Sequence, residues 1–183
     1  MLKRRLIPVA AIAVIGAAGL TMLQSHEGLR TSTYMDPVGI PTICYGHTGP
    51  EVRMGMKLTV DQCNQVLLYD IRKHQVPIMQ GHPQNCIRNA PLTPNQRDAV
   101  TIFTFNVGNT AFCSSTMAKR LAARDYIGAS DQFARWNKGR VNGRMIVLRG
   151  LTRRRADERA LFLSLSRPEP QGTLSGRAAA ILI

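Results

Sequence analysis

Glu27 and Asp36 lie in the stretch HEGLRTSTYMDPVGIPTICYGHTG, residues 26–49, with Thr42 a short way beyond them. Acid-catalysed cleavage of a glycosidic bond needs two carboxyls in unlike settings, one to donate a proton and one to stabilise charge or activate water. Glu27 stands where an apolar stretch runs out, a desolvated setting that favours the protonated acid. Asp36 stands in the polar turn MDPVG, a setting that favours the carboxylate. A hydroxyl at Thr42 can donate to Asp36 while accepting from water, although a Thr here is also an ordinary strand former. The spacing alone does not single out this pair, because most Asp and Glu side chains are solvated surface groups.

The elements that must hold these residues can be read from pattern. Residues 28–48 are rich in Thr, Gly, Pro and Tyr and suit a small hairpin or three-stranded sheet. In LTVDQCNQVLLYDIRKHQVPIM the apolar residues recur with helical spacing behind Thr59, a capping residue, and Pro77 ends or bends that helix. Thr93 and Gln96 form a capping-box pattern before RDAVTIFTFNVG, a helix apolar on nearly all sides and therefore expected in the core. SSTMAKRLAARDYIGASDQFARW reads as two short helices broken near Asp125 to Gly128, and LTRRRADERALFLSL as a last helix with arginines on one face. The fold class is therefore α+β, mostly α, in one main domain over residues 26–166. A tail follows at 167–183.

The N-terminus has a different character. Lys3, Arg4 and Arg5 precede a largely apolar run from Leu6 to Leu23. Eighteen helical residues rise about 27 Å, just short of a hydrocarbon core of about 30 Å. The basic head orients the chain with its N-terminus in the cytoplasm and the remainder exported. Residues 1–25 are thus expected to be an uncleaved signal-anchor, with inner-membrane contact through residues 6–23. The alternative is a cleaved signal peptide, but its small-residue site, Gly16 to Ala18, falls inside the apolar run.

Four cysteines, an even number with no C-x-x-C pair, fit an exported chain with two disulfides better than a metal site. Of the three possible connectivities, Cys44 with Cys63 and Cys86 with Cys113 each close a moderate loop, and that pairing is expected. No metal or other cofactor is expected. The 183 residues carry a formal charge of +13, which attracts a polyanion. Nucleic acid is disfavoured as that partner: aromatics are only 5% of the chain, and zinc-finger, basic-zipper and RNA-binding signatures are lacking.

The ordered residues EGLR, Tyr34, Asp36, Gly39, Thr42-Ile43 and YGHTG resemble the active-site signature of the phage-type lysozymes, glycoside hydrolase family 24. LTPNQRDAVTIFTFNVGNTAFCSST, FARWN and LTRRRADERALF resemble later blocks of the same family. The resemblance implies a lysozyme-like fold with a small N-terminal β-hairpin lobe and a helical lobe. It implies that Glu27 protonates the bond between N-acetylmuramic acid and N-acetylglucosamine in peptidoglycan, while Asp36 and Thr42 hold the attacking water, giving inversion. It also implies a structural ion pair between His47 and Asp70, and leaves open which arginine of 149–155 reaches Glu27. The chain departs from the family at Cys44, where glycine is usual.

Leu20 to Leu23 are claimed by both the bilayer and the helix leading to Glu27. In this the chain resembles signal-arrest-release endolysins, which implies a monomer tethered inactive at the inner membrane, facing the periplasm, and later released into it. A lytic transglycosylase acting on the same bond and a non-catalytic membrane-anchored wall-binding protein are the alternatives.

Overall fold

A computed structural model describes residues 15–164. The basic head, residues 6–14 of the apolar run and the whole of the tail, 167–183, lie outside the described residues. Within them, no helix is long and apolar enough to cross a membrane.

The helix α1, Ala17–Glu27, buries Gly19 and Leu23 and ends where Gly28 adopts φ +69°, its N–H returning to the Gln24 carbonyl. That left-handed residue, which glycine tolerates without a Cβ penalty, turns the chain sharply after Glu27 into a hairpin. Strands β1, Arg30–Met35, and β2, Pro41–Cys44, pair antiparallel with Tyr34 opposite Thr42 and an irregularity between Arg30 and Tyr34. The sheet stops at two strands. Single bridges, Ser32 to Lys57 and Ile43 to His47, extend it at the edges.

Helix α2, Val60–Gln75, opens with a full capping box between Thr59 and Gln62 and passes into a 3₁₀ turn, Val76–Ile78, that contains Pro77. Helix α3, Pro94–Val107, opens with the same device between Thr93 and Gln96. Its residues from Asp98 to Thr104 are all buried, as expected of a helix through the core. Phe103 is central: Phe133 and Trp136 meet it edge-on at 5.4 Å, and Phe112 at 6.3 Å.

After α4, Asn109–Ser114, the break between α5, Thr116–Ala122, and α6, Tyr126–Ser130, falls earlier than the pattern suggested. Asp125 caps α6 by accepting from the Gly128 N–H, so Gly128 lies inside that helix. A second hairpin, β3, Lys138–Val141, and β4, Arg144–Val147, was not expected. Its signal is the Asn142-Gly143 pair, both with positive φ, which forms the tight turn favoured between antiparallel strands. The last helix, α7, Arg149–Leu163, packs mainly on α3.

Two disulfides join these elements, Cys44 to Cys63 and Cys86 to Cys113. The first ties the end of β2 to α2. The second ties the loop after the 3₁₀ turn to α4.

Candidate active site

Glu27 is the last residue of α1, and its surroundings differ from the apolar setting anticipated from sequence. Arg154 Nη2 of α7 lies 2.7 Å from Glu27 Oε1, with only 8% of the arginine side chain and 19% of the glutamate exposed. The arginines of α7 are thus not a uniformly solvated face. Arg154 and Arg155 are buried, because the helix turns them inward onto α3.

Burying two guanidiniums is costly unless each is paired and hydrogen-bonded. Glu158, fully buried, pairs with both: Oε1 accepts a hydrogen bond from Arg154 Nε at 3.1 Å, while Oε2 lies 3.0 Å from Arg155 Nη1 as an ion pair without hydrogen-bond geometry. Arg154 also reaches the Ile102 carbonyl, Arg155 donates to Asn106, and the Arg155 guanidinium stacks 4.9 Å above the Phe103 ring. Burial pushes the Glu158 carboxyl up to about 7 and lowers Arg155 to about 10, in each case against the pull of the opposite charge. Burial and the nearby Arg154 charge also lower His26, which lies 3.7 Å from Asp157. Two carboxylates and two guanidiniums therefore form one compensated cluster, with Glu27 at its solvent edge.

The other side of Glu27 is the end of the first hairpin. A Cβ on Gly46 would stand 3.9 Å from Glu27 Oε2. Glu27 therefore has one oxygen against Arg154 and the other near the loop after β2. A polar cluster fixes that approach: Gln24 of α1 donates to the Tyr45 hydroxyl and to Asn64 Oδ1, and the Tyr45 hydroxyl donates to the same Asn64 oxygen at 3.1 Å.

Asp36 follows β1, and its Oδ1 accepts from the Val38 and Ile40 amides at 2.9 and 2.8 Å, holding the turn between the strands. Among the described residues no hydrogen bond falls on its Oδ2. Thr42 is buried on β2, and its hydroxyl donates to the Ile40 carbonyl at 3.0 Å rather than to Asp36. The hydroxyl's acceptor capacity is thus directed by a bond within the hairpin. His47 sits between two carboxylates, with Nδ1 2.8 Å from Asp70 and Nε2 2.9 Å from Glu51. These contacts join the loop after β2 to α2.

Cys44 has φ +60°, a left-handed backbone that glycine adopts freely and other residues rarely do. This accounts for glycine being usual there in the family. In this chain the residue in that conformation is a cysteine bonded to Cys63.

Arg154 was within the arginine cluster marked in sequence. Glu158, Asn106 and the Gln24–Tyr45–Asn64 cluster were not. The spacing of Arg154 and Glu158, one helical turn apart, was the available signal, but it does not distinguish a buried pair from an exposed one.

The profile of the phage lysozyme family matches residues 24–158. An endolysin of Acyrthosiphon pisum secondary endosymbiont phage 1 is 41% identical over 150 residues, 82% of this chain and 98% of that protein. A SAR-endolysin of Pseudomonas phage phiKMV is 35% identical over 78% of this chain and 84% of that one. Among solved structures, the muramidase domain of SpmX from Asticaccaulis excentricus superposes with a TM-score of 0.74 at 34% identity, covering 82% of this chain and 98% of that domain.

Proposed function

The chain belongs to the phage lysozyme family, and on that premise we propose that it is an endolysin whose Glu27 donates the proton that breaks the peptidoglycan backbone. The enzyme is a muramidase, hydrolysing the β-1,4 bond between N-acetylmuramic acid and N-acetylglucosamine and so lysing the host cell. The observation that carries the residue assignment is the split environment of Glu27. Its Oε1 is held by Arg154 and its Oε2 lies toward the first hairpin. The Arg154 cation against Oε1 disfavours a proton there, so the proton used in catalysis sits on Oε2, the oxygen on the substrate side. Reprotonation from solvent through the same opening resets the acid for the next cycle.

Asp36 and Thr42 are the water-holding pair. The Asp36 Oδ1 is committed to the turn, which leaves Oδ2 as the base toward a water. The Thr42 hydroxyl donates to Ile40 and therefore offers its lone pair to that water as acceptor. Attack from the face opposite the leaving group inverts the anomeric carbon.

The relatives named SAR-endolysins support a membrane-tethered precursor that is released to the periplasm. In this reading residues 6–23 hold a monomer at the inner membrane, and Glu27 becomes competent only when Leu20 to Leu23 leave the bilayer and pack as part of α1.

The test is release of soluble sugar fragments from purified peptidoglycan by the full chain, with Glu27→Gln as control. Loss on the order of 10²-fold or more in turnover by a folded variant is expected for removal of a general acid. Undiminished turnover overturns the assignment. Products one water heavier than anhydro sugars mark a hydrolase rather than a transglycosylase.

A further inference from the structure

Helix α1, which carries Glu27, starts without a side-chain cap from its own segment among the described residues. Gly16 precedes it with an extended backbone (φ −70°, ψ 161°), no side-chain cap bond is made by that residue, and the first turn has no acidic side chain. The first amides of a helix lack internal acceptors, and that end carries partial positive charge. A carboxylate from elsewhere in the chain fills this place. Asp98 of α3, only 3% exposed, accepts the Gly16 N–H on Oδ2 at 2.8 Å.

The segment is shaped for this approach. A Cβ on Gly16 would fall 2.8 Å from Asp98 Oδ2, and one on Gly19 would fall 2.9 Å from both Oδ2 and the Asp98 Cβ. Any side chain at either position would displace the carboxylate. Gly16 and Gly19 are one turn apart, so the absence of side chains makes a single notch at the start of α1.

We propose that Asp98 is a positioning residue that caps α1 in trans, holding the N-terminal segment broken at Gly16 and thereby placing Glu27. The Gly16 N–H has two mutually exclusive acceptors. In a helix running unbroken through residues 6–23, it would bond the carbonyl of Ile12, four residues back. In the folded enzyme it bonds Asp98. The Asp98 bond is charge-assisted and favours the docked state, whereas an unbroken spanning helix excludes it. Eleven residues of α1 then run from this bond to Glu27. The part concerning release rests on the membrane-tethered reading above; the capping itself does not.

The experiment uses the full chain carrying Asp98→Ala, Asp98→Asn, Gly16→Ala, or Gly16→Ala with Asp98→Ala. Three quantities are read: amide hydrogen exchange of residues 16–23 in the released protein, the ratio of membrane-bound to soluble chain, and kcat and KM on peptidoglycan. Asp98→Ala should speed exchange of 16–23 by about tenfold, the size of one lost charge-assisted bond, while 116–122 stay as in the parent. It should also lower kcat with KM unchanged and raise the membrane-bound share. Asp98→Asn, which keeps an acceptor oxygen and the shape, should recover most of each loss. Gly16→Ala should impair the parent but add little to Asp98→Ala, because the atom it meets is gone. Parent-like exchange of 16–23 in Asp98→Ala, or an equal Gly16→Ala penalty in both backgrounds, overturns the proposal. If Asp98→Ala does not fold, Gly16→Ala alone decides: faster exchange confined to 16–23 supports the cap, and parent-like exchange refutes it. Full turnover by Glu27→Gln would instead refute the catalytic assignment and leave the exchange result to judge Asp98.

Discussion

Arg154 of the last helix lies 2.7 Å from Glu27 at the end of the first, so two elements at opposite ends of the described chain meet at the proposed general acid. The same guanidinium bonds the buried Glu158. Arg154 is therefore both a support for Glu27 and the partner of a carboxylate that cannot reach water.

Arg154→Met should destabilise the fold by about 3 kcal/mol or more, since it leaves Glu158 with one cation in place of two. Arg153→Ala, a change at the exposed neighbour, should shift stability by only about 0.5 kcal/mol. Denaturant midpoints of the two variants check the difference, and turnover of Arg154→Met should fall with stability because Glu27 loses its tether.

Stability should depend on Glu158 with a definite sign. Its folded carboxyl titrates near 7 against 4.5 for the free group, because burial disfavours the anion. Between those values the unfolded chain binds fewer protons, so this group takes stability away as pH rises from about 4.5 to 7 and has no further effect above. His26 and His74, both lowered by burial, act in the opposite direction and add stability as pH rises toward 6.5. Comparing denaturation of the parent and Glu158→Gln at pH 5 and 7 isolates the Glu158 contribution: the variant should show the more positive change with pH.

Asp36→Asn should fold as the parent does, because the Oδ1 that accepts from Val38 and Ile40 is retained. Its turnover should fall by about 10²-fold, the scale of losing a positioned general base. Proton magnetic resonance of the first product made by the parent should show the inverted anomer; retention would assign Asp36 as a nucleophile instead.

Removing the Cys44–Cys63 bond should have two separable effects. Cys44→Ser with Cys63→Ala loses the cross-link, at about 3 kcal/mol, and leaves a non-glycine residue at φ +60°. Cys44→Gly with Cys63→Ala loses the same cross-link but relieves the left-handed backbone, by about 1 kcal/mol. Thermal unfolding of the two double variants should therefore place the glycine variant higher.

Much of the helical framework was legible because its determinants are local. Thr59 with Gln62, and Thr93 with Gln96, announce helix starts through bonds that span three residues. The all-round apolar character of α3 likewise predicted its central place. The second hairpin was missed although Asn142-Gly143 is a strong turn signal, because its flanking strands are exposed and lack apolar alternation.

The amino-acid order by itself determined the family, the fold class and the candidates Glu27, Asp36 and Thr42, all of which lie within one short stretch. Only the tertiary structure decided which arginine meets Glu27, that Glu158 compensates it, and that Asp98 closes the start of α1. Arg154 and Asp98 meet residues of α1 that are far away in the chain, and although Glu158 stands one turn from Arg154, a charged side chain carries no local mark of which face of its helix will be buried. Burial of Arg154, Arg155 and Glu158 is settled by the packing of α7 on α3, where each charge is tolerated only because its partners arrive from other turns and other elements.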